Sequence, residues 1–142
     1  MKFEDVEDMI IDTLKASLPY LKRTATYAGE FETDVKALPS GFPAAFVVYR
    51  GSRFEPVDNS SCEEQAEFTV LVAAKDLKGG EQPRKGEYGA YRLLEDVLSA
   101  LANRDLGLKM ERLEPVRVSL VFVSQGIAVY GMDFRAKFDR TY

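Results

Sequence analysis

The sequence predicts an α+β fold in the order α-β-β-α-β-β, a mostly antiparallel sheet with two main helices packed on one of its faces. Three observations carry this. Apolar side chains at Phe3, Val6, Ile10, Leu14 and Leu18 recur at spacings of three and four, which lays one stripe along a helix. Two pairs of strand-like segments, within 42–74 and 116–138, are each close enough in sequence to form a hairpin. A second segment of helical period lies between the pairs, and helices covering one face of an antiparallel sheet is the expected way to bury both.

The first helix runs from Phe3 to Leu18 and ends at Pro19, which disfavours helical geometry in the residue before it and cannot donate a hydrogen bond. Thr24 to Ala28 then reads as a short strand and Thr33 to Leu38 as a turn of helix. Phe42-Pro43-Ala44-Ala45-Phe46-Val47-Val48-Tyr49-Arg50 is a continuous run of branched and aromatic residues, too short for a core helix and best read as a strand buried on much of both faces. Gly51 to Ser61 is polar and turn-rich. Beyond it Ala66, Phe68, Val70, Val72 and Ala74 alternate with Glu67, Thr69, Leu71 and Ala73, a second strand antiparallel to the first across a wide hairpin.

Lys75 to Glu87 holds Gly79, Gly80, Pro83 and Gly86 among charged residues and reads as a mobile loop. The second helix, about Tyr88 to Ala102, is expected to bury Tyr91, Leu94, Val97 or Leu98, and Leu101, and to stop at Asn103 to Gly107, where a glycine suits a left-handed cap. Val116, Val118, Leu120 and Phe122 alternate with Arg117, Ser119, Val121 and Val123, and Ser124-Gln125-Gly126 turns the chain back. The last strand has the clearest period. Its set Ala128, Tyr130, Met132, Phe134, Ala136 and Phe138 is apolar throughout, so it should point toward the helices.

With 142 residues, 46% hydrophobic and 30% charged, the chain is expected to be one domain, 1–142, that buries roughly two thirds of its unfolded surface. The single cysteine, Cys62, excludes an internal disulfide, which points to the cytoplasm. The opening Met1-Lys2-Phe3-Glu4-Asp5 places acids where a signal peptide would place an apolar stretch, and no apolar run approaches the ~18 residues that span a bilayer. A net charge of -4, from 23 acids and 19 bases, repels polyanions, so neither nucleic acid nor a membrane is an expected partner.

Chemistry is hard to build from these residues. Histidine is absent, which removes the commonest general base, nucleophile partner and zinc ligand. Cys62 sits beside Glu63 and Glu64, whose negative charges oppose the thiolate that a nucleophile needs. Glu63, Glu64, Asp133 and Asp139 read as solvated surface acids, with Glu67 the exception by its strand position. The glycines match neither a P-loop nor a dinucleotide fingerprint. No catalytic, metal or cofactor-binding residue is expected.

Two contact features remain. Lys75, Lys78, Arg84 and Lys85 lend the central loop positive charge, offset by Asp76, Glu81 and Glu87, and form a candidate contact loop. A second apolar set on the strands, Ala45, Val47, Tyr49, Leu71, Ala73, Val121, Val123, Ile127 and Val129, needs a cover that helices on one face do not supply. Self-association through Val47, Tyr49, Leu71, Val121 and Val129 is the economical explanation, although Tyr20 to Gly41 could fold over part of that face.

The amphipathic helix Val6 to Leu18, the run Phe42 to Tyr49, the strand Glu67-Phe68-Thr69-Val70-Leu71-Val72 and the closing strand Gly126 to Phe138 together resemble the small tail proteins of the Mu-like prophage gp37 type. Those in turn resemble the tail terminator and tail completion proteins of long-tailed phages. The likeness is one of element order and apolar spacing over nearly the whole chain. It implies a non-enzymatic structural protein, made in the host cytoplasm and incorporated into the virion tail. Its partners would be further copies of itself, commonly in a ring of six that caps the tail tube, and other tail or head-tail connector proteins. A cellular small-ligand-binding or protein-interaction module, with aromatics around Tyr49, Tyr91 and Tyr130 lining a pocket, is the alternative.

Overall fold

The computed structural model describes residues 1–29, 41–75, 84, 89–124 and 126–142. Helix α1 (Phe3–Ser17) buries Val6, Ile10, Ile11 and Leu14, along the stripe that the spacing predicts. Glu4 and Asp5 occupy its first turn and Lys15 its last, each charge opposing the local end of the helix dipole. The N–H of Leu18 still donates to the Leu14 carbonyl at 2.8 Å, and Pro19, with no N–H, ends the ladder.

Five strands form one sheet: β1 (Arg23–Thr26), β2 (Ala44–Pro56), β3 (Ser61–Lys75), β4 (Glu114–Ser124) and β5 (Ile127–Thr141), in the spatial order β1-β2-β3-β5-β4. The pairs are antiparallel except β1 with β2, which is parallel. The element order is therefore α-β-β-β-α-β-β, one strand longer than expected. The added strand is β1, the short segment read at Thr24 to Ala28. The helical turn expected at Thr33 to Leu38 lies outside the described residues.

The largest departure from expectation is in the first hairpin. β2 does not end at Arg50: the register shifts between Tyr49 and Gly51, and the strand continues to Pro56, pairing Ser52 with Ala66 and Pro56 with Cys62. Gly51, at φ +136°, supplies backbone that a β-branched residue would resist, which is why the strand survives the bulge. The hairpin is long and tightly closed. Asp58 Oδ1 accepts from the Ser60 N–H at 2.9 Å and from the hydroxyls of Ser60 and Ser61 at 3.1 and 2.9 Å, and these hydrogen bonds hold its carboxyl below its usual pKa.

Helix α2 (Ala90–Leu101) buries Ala90, Leu93, Val97, Ala100 and Leu101 and leaves Tyr91 and Leu98 exposed. It is thus rotated by about one position from the expected face. Ala90 and Ala100 lie on the buried side, where small side chains admit close approach to the sheet, while the bulkier Tyr91 and Leu98 flank it. The left-handed residue after its Ala102 cap is Asn103, at φ +62°; Gly107, at φ +73°, serves the next turn.

Buried residues fall into two clusters. One joins both helices to Ala45, Val47, Ala66, Phe68, Val70, Val72, Ala74, Ala128, Met132, Phe134, Ala136 and Phe138, so the even-numbered residues of β5 do face the helices. The other has no helical member. It contains Phe42, Ala44, Phe46, Leu71, Ala73, Ile127 and Val129, with Ala25, Tyr27 and Phe122 packed against it.

Candidate interaction surface

The second cluster redistributes the expected interface residues. Val47 pairs with Val70 and Tyr49 with Phe68, and directly opposed residues of an antiparallel pair point to the same face. Both therefore belong with the helix-side core: Val47 is fully buried there, and Tyr49 packs against that core with its ring stacked on Phe3 at 4.4 Å. Leu71 and Val129 do lie on the other face, but they are buried in its cluster. Ala25 and Tyr27 supply part of their surroundings, as a fold-over of the segment after Pro19 would. Of the five, Val121 alone is exposed.

Val121 leads to a run of exposed apolar residues along one strand of the sheet. Strand β4 ends the sheet and pairs with β5 only, so its outer backbone edge faces no strand in the described sheet. Val116, Val118, Leu120, Val121 and Val123 are each between 41% and 53% exposed. Register shifts at Pro115/Arg117 and Leu120/Phe122 break the alternation, so apolar side chains emerge on both faces. Val118, Leu120 and Val123 lie opposite Met132, Tyr130 and Ala128 on the helix side. On the other face, a Cβ built on Gly131 would stand 3.7 Å from Val121 Cγ2 and 3.5 Å from Leu71 Cδ2.

Helix α2 extends this surface. Tyr91, the half-buried Leu94 and Leu98 are spaced as one helical stripe, and the Tyr91 ring meets the Tyr130 ring edge-on at 6.0 Å. Because Tyr130 pairs with Leu120, the stripe adjoins the exposed side of β4. An edge strand with open hydrogen-bonding groups and apolar side chains is a template for another chain. Among the described residues, Pro115, the charges of Glu114 and Arg117, and the two bulges blunt it.

A partly buried polar network links β3, β5 and β4. Asp133, expected on the surface, is buried; its Oδ1 accepts from the Thr69 hydroxyl at 2.6 Å and its Oδ2 from Arg117 Nε at 3.1 Å. Farther along, Glu114 meets Lys137 at 3.4 Å and Arg135 at 3.7 Å. Glu64, also expected to be solvated, is fully buried and accepts from Arg140 Nε at 2.8 Å. The sequence did hold a signal for it, since Glu64 continues the inward parity of Ala66, Phe68 and Val70. Both carboxylates sit in ion pairs. Cys62 is buried.

Of the candidate contact loop, Lys75 is exposed at the end of β3 and Arg84 is half-buried, its carbonyl accepting from the Tyr91 N–H at 3.0 Å; Lys78 and Lys85 lie outside the described residues. Tyr49, Tyr91 and Tyr130 do not combine: Tyr49 contacts Phe3 and Phe68, while Tyr91 contacts Tyr130. Among the described residues no cluster of three or more acidic, cysteine or histidine side chains could hold a metal. No described helix is long and apolar enough to cross a membrane.

Comparison with known proteins adds three findings. The family model described as "Bacteriophage Mu, Gp37" matches residues 2–139. A solved structure titled "Virion of native gene transfer agent (GTA) particle" contains a chain of the same fold, with TM-score 0.62 and 15% identity over 95% of each chain. No curated protein matches.

Proposed function

The chain belongs to the bacteriophage Mu Gp37 family, and from that premise we propose that it is a non-enzymatic structural protein of phage-type tail assembly, a ring-forming tail terminator or completion protein. Its partners are further copies of itself and other virion proteins. Family membership supports the phage structural role. The observation that carries the contact mechanism is β4, an 11-residue edge strand with apolar side chains open on both faces and α2's Tyr91 and Leu98 beside it.

In this reading a neighbouring copy covers β4 with a different part of its own surface. Such head-to-tail contacts close into a ring when their rotation permits, and six subunits is the number the family resemblance implies. Each contact can be weak in dilute solution yet persist on a tail end, where neighbouring sites raise the effective concentration.

Leu120→Asp tests this. The side chain is already 53% exposed, so the variant should fold as the parent does, remain monomeric in sedimentation at concentrations where the parent associates, and give tails of abnormal length in a phage background. Unchanged association and normal tails would place the contact elsewhere.

A further inference from the structure

At the end of the sheet far from the β4–β5 turn, Met1, Lys2, Phe3, Glu4, Phe54, Glu64, Arg140 and Tyr142 line an open cleft of about 730 Å³. Glu64 is the buried residue of that lining. One of its oxygens takes the Arg140 Nε hydrogen bond at 2.8 Å; the other, Oε2, is buried and has no hydrogen-bond partner. Arg140 does not serve both oxygens. Its Nη1 donates to the Met1 carbonyl at 2.5 Å, and its guanidinium lies over the rings of Phe3 and Phe138 at 5.3 and 5.0 Å, so packing holds the fork in a one-bond geometry.

A buried carboxylate oxygen without a donor is costly, and native structures rarely leave one unless something outside the chain supplies the bond. We propose that this cleft receives a neutral hydrogen-bond donor carried on an aromatic ring, a tyrosine side chain of a partner protein, with the phenol O–H donating to Glu64 Oε2. Three features select that class. The walls are aromatic at Phe3, Phe54 and Tyr142, which favours a ring. The charged side chains of the lining already balance, Arg140 against Glu64 and Lys2 against Glu4, so a cation bound there would be left uncompensated. The rim is open, with Phe54 and Tyr142 strongly exposed, so the cleft admits a side chain that still carries its backbone. The assignment does not depend on the tail role or on β4.

Titration of the full chain, followed by amide chemical shifts of residues 61–64, tests it with four probes: 4-methylphenol, 4-methylanisole, toluene and n-butylammonium. The phenol should bind about tenfold more tightly than the anisole or toluene, the size of one hydrogen bond to a charged acceptor. Glu64→Gln keeps an oxygen for Arg140 and turns an N–H₂ toward the cleft, so the anisole, an acceptor only, should rise to match the phenol. Should that variant not fold, the phenol-to-anisole ratio on the parent still decides. N-acetyl-tyrosine N-methylamide should bind at least as tightly as 4-methylphenol. Equal affinities for phenol, anisole and toluene, tighter binding of n-butylammonium, exclusion of the blocked tyrosine, or no binding by any probe would each overturn the proposal.

Discussion

Strands β4 and β5 run side by side and are both rich in large apolar residues, yet they do opposite work. In β5, Ile127, Ala128, Val129, Met132, Phe134, Ala136 and Phe138 are buried against one cluster or the other. One hydrogen-bonded step away, Val118 lies opposite Met132 and Leu120 opposite Tyr130, and both are about half exposed. Apolar pattern alone marks a strand as able to be buried. What buries it is a neighbour on its far side, and β4 has none in the described sheet.

The difference is sharpest in stability. Phe134→Ala should cost about 3–5 kcal/mol, the range for truncating a fully buried aromatic, read as a fall in the denaturation midpoint. Leu120→Ala should cost less than about 1 kcal/mol, as for an exposed site away from special geometry. A loss of similar size at both positions would mean that β4 is covered in the isolated chain, and the interface reading would fall with it.

A smaller contrast divides the two partners of one ion pair. Asp133→Ala strands the buried Thr69 hydroxyl and should destabilise by about 1–3 kcal/mol, whereas Arg117→Ala removes a side chain that is 72% exposed and should cost under about 1 kcal/mol. Equal losses in chemical denaturation would show that the Arg117 pair, which links β4 to β5, contributes as much as the Thr69 bond, which links β3 to β5.

The smallest effect concerns the turn that closes the other hairpin. Asp58 is held below its ordinary 3.8 by the Ser60 N–H and the Ser60 and Ser61 hydroxyls. A folded-state pKa below the unfolded value contributes stability that is present above the unfolded pKa and is lost as pH falls through the folded one. The protection factor of the Ser60 amide should therefore fall below pH 3.8 before the β3–β5 pair opens, and Asp58→Ala should abolish that local step. Simultaneous opening of turn and sheet in the parent would contradict it.

Much of this fold was legible because local periodicity reports local structure. The spacing of Val6, Ile10 and Leu14 defines α1 without reference to anything else, and the strict alternation from Ala128 to Phe138 specifies both a strand and its inward set. The long hairpin was less legible. Its outer half, Ser52–Pro56, is polar because it lies at the sheet's end, and a polar stretch containing a glycine reads as a loop until its partner strand is known. Glu64 was hidden for the same reason: beside Glu63 it resembles a solvated pair, although its parity matches Phe68.

The sequence by itself determined the helical and strand stripes, the absence of histidine chemistry, and the resemblance that led to the family. Only the tertiary structure decided how those stripes combine. Odd residues of β2 sit with even residues of β3 because Val47 pairs with Val70 and Tyr49 with Phe68, and parity within one strand carries no information about the register between two. That register sent Val47 and Tyr49 into the helix-side core. The strand order left β4 at the edge, and the packing of Arg140 between two rings left one oxygen of Glu64 without a partner. Each depends on contacts between residues far apart in the chain, which local spacing does not encode.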